Sequence, residues 1–261
     1  MRAYADSVRR VFSVFWRLGR KARRTKAFFL FSQLPVAVAL VLRLNTAVSG
    51  GASTALPYLF NNIIMFFYLQ MIILMLALFY GTSVCSEEVE GKTLPYLATR
   101  PLPRSAIVLG KYAAYTAITA GMTAFGFVVS FLILAGGRPS GREVLEMLGH
   151  LGVLMAGLAA YGSLFTLFGS SLKRSVFFGL LFSFGWENVI QYFPGSTQRL
   201  AIAHYLKSFL PPPAPGRFAF LTFRLEPTGP WLSLFVLASV TAGGLVLAGL
   251  FFSKKEYILE D

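Results

Sequence analysis

The residues most able to do chemistry lie in one polar segment, residues 86–104, between two long apolar stretches. It opens with three acids and a Gly-Lys-Thr sequence: Glu87, Glu88, Glu90, Gly91, Lys92 and Thr93. The Gly-Lys-Thr sequence looks like the end of a phosphate-binding loop, but that loop needs a glycine five residues before its Gly-Lys pair. Ser86 stands at that position, and three acids lie where phosphates would bind. We therefore expect no ATP hydrolysis by this chain itself.

Other catalytic or metal-binding sets are also missing from the sequence. Cys85 is the single cysteine, which rules out an internal disulfide and a Cys-rich metal site. His150 and His204 are far apart, and the only aspartates are the near-terminal Asp6 and Asp261. A membrane-embedded enzyme would need paired Asp, a Ser with a Lys, or a His-rich metal site. We expect no catalytic residue, no metal and no cofactor in this chain.

The rest of the polar segment has the pattern of a short amphipathic helix. Leu94, Tyr96 and Leu97 alternate with polar residues, and Pro101 and Pro103 then end any helix and turn the chain. Such a helix is too polar to insert into a membrane and too short to fold alone, so it should dock on a partner. The alternative is an ordinary solvated connection, which would have no need of these apolar residues.

Composition indicates a membrane protein. Hydrophobic residues make up 56% of the 261 residues, charged residues only 13%, and mean hydropathy is +0.64. Soluble domains carry about 25% charged residues, and a spanning helix needs about 20 apolar residues. We predict an all-α, polytopic helical bundle whose six apolar spans lie at about residues 27–44, 58–84, 112–135, 147–169, 175–193 and 231–252. A long outer connection, residues 194–230, and a short cytoplasmic tail, residues 253–261, complete this organisation.

The N-terminal residues 1–26 hold nine of the 24 basic residues. Apolar side chains recur there at i, i+3, i+4 and i+7, at Val8, Val11, Phe12 and Phe15. This pattern predicts a basic amphipathic helix lying on the anionic cytoplasmic headgroup layer, the alternative being a flexible basic tail. In a membrane protein the placement of charge matters more than the net +13, so we expect membrane lipids, and no nucleic acid, as partners.

Orientation follows from the distribution of lysine and arginine. With the N-terminus inside, the cytoplasmic segments hold 17 of these residues and the outer segments hold seven. Positive residues favour the cytoplasmic side. We therefore predict a multi-pass protein with both termini in the cytoplasm.

The order acid-acid-x-x-Gly-x-Thr-Leu, then Leu, Pro and Arg, with a Lys opening the next span, resembles the first cytoplasmic loop of ABC-2-type transporter permeases. The resemblance is to the bacterial six-span branch without a fused ATPase, which implies an inner-membrane location. The motif positions are Glu87, Glu88, Glu90, Gly91, Thr93, Leu94, Leu97, Pro101, Arg104 and Lys111. Lys92 departs from the pattern, because many members join Gly and Thr directly.

The resemblance implies a function. Two permease subunits, identical or different, would form a pore, and each would dock this loop as a coupling helix on a cytosolic ATPase subunit that binds ATP and Mg. The resemblance favours export over import. The second and fifth spans would line the pathway, with polar candidates Asn61, Asn62, Gln70, Glu187 and Asn188. These side chains could instead cap helices or lie at the headgroup boundary.

A second functional class is an ATP-independent secondary carrier. It predicts charged residues at mid-membrane or broken helices in paired repeats, and neither is clear in the sequence. The residues do not indicate the transported substrate.

Overall fold

The computed structural model describes residues 2–48, 60, 64–90, 103–136, 139–190, 193, 196–210 and 228–254. Within these ranges all regular structure is helical. The predicted all-α fold is confirmed, and among the described residues five helices are long and apolar enough to cross a membrane. A sixth apolar helix, Ser175–Glu187, is shorter. The protein is a polytopic helical membrane bundle.

The first 48 residues form three helices in series. They are α1 (Arg2–Lys21), α2 (Arg23–Ser32) and α3 (Leu34–Val48). Ala22 is extended (φ −62°, ψ 138°) and separates α1 from α2. The second break lies at Gln33, so that Pro35 falls in the first turn of α3, where no N–H is required. Together, Arg23–Val48 forms the first candidate span.

The next helix, α4, is the central one. It consists of three consecutive pieces, Met65–Phe67, the π-helical Tyr68–Ile72 and Ile73–Glu90. In its most apolar window 67% of residues are buried, against 17% for Arg23–Val48. A helix that is apolar on all sides is typically enclosed by others, and this is where α4 lies.

Two helices of 31 residues follow, α5 (Arg104–Leu134) and α6 (Gly141–Ser171). At 1.5 Å per residue each is about 46 Å long, which exceeds a hydrocarbon core of roughly 30 Å. Helix α6 starts with a capping box. The Ser140 hydroxyl accepts from the Glu143 N–H at 3.3 Å, and the Glu143 carboxylate accepts from the Ser140 N–H at 2.7 Å.

The C-terminal part contains one short and one long apolar helix, with two further short helices in the described part of the chain between them. The elements are α7 (Ser175–Leu180 and the π-helical Leu181–Glu187), a 3-10 helix (Ser196–Leu200), α8 (Ile202–Lys207) and α9 (Pro230–Lys254). At 1.5 Å per residue α7 covers only about 20 Å. A short helix of this kind places its last residue inside the bundle rather than beyond it.

Both ends of the described chain lie at the same end of the bundle. The Tyr4 hydroxyl donates to the Ser105 hydroxyl at 3.2 Å, which places the start of α1 beside the start of α5. The Arg104 guanidinium donates to the Ser253 carbonyl at 3.3 Å, which places the last turn of α9 there too. We call this the Arg104 end.

Helix α1 packs along the first half of α5. Val11 is buried against Gly110, where an added Cβ would lie 2.6 Å from the Val11 Cβ. Phe15 meets Tyr115 edge-on with ring centroids 6.3 Å apart. Part of the apolar face that the sequence assigned to the membrane surface is therefore covered by α5. The headgroup location of α1 remains a prediction.

Glycines permit the closest helix contacts around α4. An added Cβ at Gly81 would lie 2.9 Å from the Gly162 carbonyl oxygen, and one at Gly169 would collide with the Thr82 carbonyl. Both obstacles are backbone atoms, which cannot rotate away. Gly152 on α6, in contrast, has nothing within 4 Å of an added Cβ. Small residues at such crossings let helix backbones approach in lipid.

We expect Gly169→Ala to lower the free energy of unfolding by about 1–3 kcal/mol, because α4 and α6 must separate to admit the methyl group. The thermal midpoint of the detergent-solubilised protein, followed by circular dichroism, measures this. Gly152→Ala is the matched control, and its midpoint should be unchanged or raised. Equal midpoints for the two variants would contradict the close α4–α6 crossing.

Candidate functional site

Five of the ten predicted coupling residues lie in the described helices. Glu87, Glu88 and Glu90 belong to the last turns of α4, and Arg104 opens α5. The Arg104 side chain reaches the Ser253 carbonyl, in the last turn of α9, where terminal carbonyls favour a cation. The other five predicted residues lie outside the described part of the chain: Gly91, Thr93, Leu94, Leu97 and Pro101.

Lys111 is buried rather than presented at the surface. Its side chain is fully buried, with the ammonium nitrogen 4.7 Å from the Phe15 ring centroid and 5.8 Å from that of Tyr115. A cation over an aromatic face is attracted by the negative face of the ring's quadrupole. Since Phe15 belongs to α1 and Tyr115 to α5, Lys111 holds these two helices together.

Arg24 extends this cluster and was not singled out from the sequence. Its guanidinium donates to the Tyr115 hydroxyl at 2.9 Å and lies 5.4 Å from the Tyr80 ring centroid. The Tyr80 hydroxyl in turn donates to the Thr25 hydroxyl at 2.9 Å. Arg24 thereby ties the start of the first span to α4 and α5. In the sequence it looks like any other member of the basic N-terminal run.

The predicted pathway residues on the second and fifth spans meet. Gln70, in the π-helical turn of α4, donates a hydrogen bond to the side-chain oxygen of Asn188, directly after α7. The Asn188 amide also donates to the Ser183 carbonyl at 2.8 Å. The structure thus brings the half-buried Gln70 and Asn188 together where α4 meets the end of α7. Asn61 and Asn62 lie outside the described residues.

Glu187 is fully buried at the end of α7. One carboxylate oxygen accepts two hydrogen bonds, from the Tyr161 hydroxyl of α6 at 2.5 Å and from the Ala203 N–H of α8 at 2.6 Å. The carboxylate therefore joins three helices. Neither partner could be recognised from the sequence, because each lies at least 16 residues away.

A lysine from the connection between α7 and α9 completes this cluster. Burial lowers the pKa of Lys207 from 10.5 to about 8, and the negative charge of Glu187 opposes that shift. Desolvation disfavours the charged ammonium, whereas a nearby carboxylate favours it. Within the described residues no group of three or more His, Cys, Asp or Glu could hold a metal ion.

Comparison with known families decides the classification. The family model described as ABC-2 family transporter protein matches residues 20–186, which is more than half of the chain. The chain belongs to the ABC-2 transporter family. It is thus a membrane-spanning permease of an ABC transporter, and family membership implies association with an ATPase subunit. No curated protein matches the chain.

The matched region of this ABC-2 permease includes the whole polar segment, residues 86–104, and ends one residue before Glu187. The cluster of Tyr161, Glu187, Ala203 and Lys207 therefore lies mostly outside the match. Its geometry is a feature of this chain that the family comparison does not describe.

We expect Tyr161→Phe to lower the free energy of unfolding of the permease by about 1–3 kcal/mol, because a buried carboxylate loses a hydrogen-bond donor. Thermal midpoints in detergent measure the loss. Tyr205→Phe, on α8, is the control, because the Tyr205 hydroxyl makes no hydrogen bond to the Glu187 cluster. A midpoint unaffected by Tyr161→Phe would show that the hydrogen bond to Glu187 contributes nothing.

The lowered pKa of Lys207 makes stability depend on pH. Between about pH 8 and 10.5 the unfolded chain binds more protons at Lys207 than the folded protein does. Stability therefore rises with pH through this window. Thermal midpoints at pH 7.5 and 9.5 should show a smaller rise for Lys207→Met than for the unchanged protein. Lys173→Met, at an exposed lysine, should leave the rise intact, and identical rises in all three proteins would contradict the assignment.

Proposed function

We propose that this ABC-2 permease couples through residues 86–104 to a separate cytosolic ATPase, pairs with a second permease copy, and exports its substrate. The observation that carries the proposal is the family match across this segment together with its two flanking helix ends. Helix α4 ends at Glu90 and α5 begins at Arg104, beside the last turn of α9. A partner bound here would touch three helices at once.

The position of α4 supports transmission of movement from this segment. Helix α4 contacts α5, α6 and α7, and most of its apolar window is buried. ATP-driven closure of the ATPase subunits would displace residues 86–104, and α4 would carry that displacement into the bundle. For this to work, ATP must bind the two states of the assembly with different affinity.

The basic N-terminal residues favour a cytoplasmic Arg104 end in the bacterial inner membrane. The start of α1 and the last turn of α9 both lie there, in keeping with two cytoplasmic termini. The roles proposed for the coupling residues follow from their types. Glu87, Glu88 and Glu90 offer charged contacts, Leu94 and Leu97 an apolar plug, and Pro101 a rigid turn.

A buried carboxylate also favours a second candidate, an ATP-independent carrier. Secondary carriers use ionisable groups inside the membrane to bind ions or substrate, and Glu187 is such a group. The two candidates differ in one testable respect, which is whether an ATPase binds the Arg104 end.

The test is co-purification of the detergent-solubilised permease with ABC ATPase subunits co-expressed from the same genome. We expect the unchanged permease to retain the ATPase and Glu88→Arg/Leu94→Asp to lose at least nine-tenths of it, because charge and apolar contact are both reversed. The control is Glu146→Arg/Leu145→Asp, the same kinds of change at exposed residues in the first turns of α6. This control should retain the ATPase fully.

Failure of the unchanged permease to bind the ATPase would favour the carrier. If the unchanged permease and the Glu88→Arg/Leu94→Asp variant retain the ATPase equally, residues 86–104 are an ordinary solvated connection. The elution volume of each variant, compared with that of the unchanged protein, reports whether the fold is intact.

A further inference from the structure

Helix α8 lies inside the bundle, although it belongs to the connection between two spans. Ile202 and Ala203 are almost entirely buried, and Leu206 is fully buried. The Leu206 side chain lies against Gly157 of α6, at 3.1 Å from an added Cβ, and Ile73 of α4 flanks the same glycine at 3.5 Å. Six residues of connecting chain thus fill a space between core helices.

Polar contacts hold α8 on two sides. On one side, the Glu187 carboxylate accepts from the Ala203 N–H at 2.6 Å. On the other, a ring nitrogen of His204 lies 2.7 Å from the Thr228 hydroxyl, and the Thr228 N–H donates to the Ser208 hydroxyl at 3.2 Å. The first attachment joins α8 to α7, and the second joins it to the residues before α9.

The attachment at Glu187 joins residues of the core helices to residues of α8. Tyr161 belongs to the long helix α6 and Glu187 to the end of α7, and they bond to each other at 2.5 Å. Ala203 and Lys207 both belong to α8. If α8 moved away, the carboxylate would keep its Tyr161 hydrogen bond. It would therefore not be stranded in an apolar environment, which is the usual cost of breaking a buried polar contact.

The neighbouring residues connect this attachment to the proposed pathway. Asn188 follows Glu187 directly and accepts the hydrogen bond of Gln70 from the π-helical turn of α4. A displacement of α4 would therefore reach Asn188, the residue next to the Glu187 carboxylate. Helix α8 also contacts α6 and α9, so its departure would leave space beside α6, and α6 in turn contacts the π-helical turn that carries Gln70.

We propose that α8 is a releasable plug in the transport pathway and that Glu187 is the positioning residue that latches it to the core. The proposal rests on the transport function proposed above. It assigns Glu187 and Tyr161 to the fixed half of the latch, and Ala203 and Lys207 to the moving half. Loss of the Glu187 charge removes its attraction for Lys207 and weakens the charge-assisted hydrogen bond from the Ala203 N–H, while leaving an oxygen that can still accept from Tyr161.

The first experiment measures how often α8 leaves the core, and it needs no ATPase. In a Cys85→Ala background, Leu206→Cys places a single thiol on the buried face of α8, and Leu154→Cys places one on buried α6. A charged maleimide that does not cross membranes labels each thiol in native membranes. We expect Glu187→Gln to speed labelling of Leu206→Cys about tenfold and to leave Leu154→Cys unchanged.

Two outcomes of this experiment would overturn the latch. Unchanged labelling of Leu206→Cys in Glu187→Gln would mean that the charge of Glu187 does not hold α8, which overturns the latch. Equal acceleration at both thiols would mean that Glu187 stabilises the bundle in general. Glu187→Asp, which keeps the charge on a shorter side chain, should give a rate between those of the unchanged protein and Glu187→Gln.

The second experiment tests the role of the plug in transport, using the permease with its co-purified ATPase. Labelling of Leu206→Cys is compared without nucleotide and with a non-hydrolysable ATP analogue. A labelling rate that changes at least threefold with the analogue supports the plug, and a labelling rate that does not change with nucleotide overturns it. If no ATPase co-purifies, the proposed function fails and the plug in the transport pathway fails with it, while the first experiment still decides whether Glu187 latches α8.

Discussion

Polar side chains inside a lipid-surrounded bundle must find their partners within the protein, and this constraint shapes the whole structure. Hydrocarbon offers no water to a stranded donor, acceptor or charge. Gln70 meets Asn188 between α4 and α7, and Glu187 meets Tyr161 and Ala203 between α7, α6 and α8. Each such contact joins elements that are distant in sequence, so satisfying the polar group also fixes which helices are neighbours.

Three buried hydroxyl groups meet the same constraint differently. Thr82, Thr166 and Ser183 donate to the carbonyl four residues earlier in their own helices, at 2.7–2.8 Å. These bonds are local and hold no second helix. The small side chains and the glycines beside them let α4 and α6 cross at backbone contact, which suits association in lipid, where apolar burial alone gives little preference. Long polar side chains thus determine which helices are neighbours, and small residues allow the backbones of those helices to come close.

The sequence predicted what depends on local pattern. Apolar runs gave the polytopic helical class, and 3.6-residue periodicity identified the side of α1 around Val11 that packs on α5. Hydropathy placed the start of the third span at residue 112, just after the charged Lys111, yet α5 begins at Arg104. The physical reason is that Phe15 and Tyr115 cover Lys111, which depends on the packing of α1 and cannot be deduced from hydropathy.

The candidate site was predictable only in part for the same reason. Glu187, Asn188 and Gln70 stood out because polar residues in apolar runs are expensive. Their partners did not, since a tyrosine at position 161 and a backbone N–H at position 203 look ordinary in sequence. The burial of α8 was equally hidden, because a short amphipathic helix between two spans is also typical of a segment on the membrane surface.

These contacts form a continuous physical link between the proposed coupling segment and the proposed plug. Helix α4 leads from Glu90 to Gln70, Gln70 bonds to Asn188, and Asn188 adjoins Glu187, which holds α8. Continuity alone does not make an allosteric route, which needs an element with two states that both ends bias. A docked and a released α8 would be such an element. The π-helical turn at Gln70 is then the point where movement of α4 would act on the latch, because a change in helix pitch there directly changes the position of the Asn188 contact.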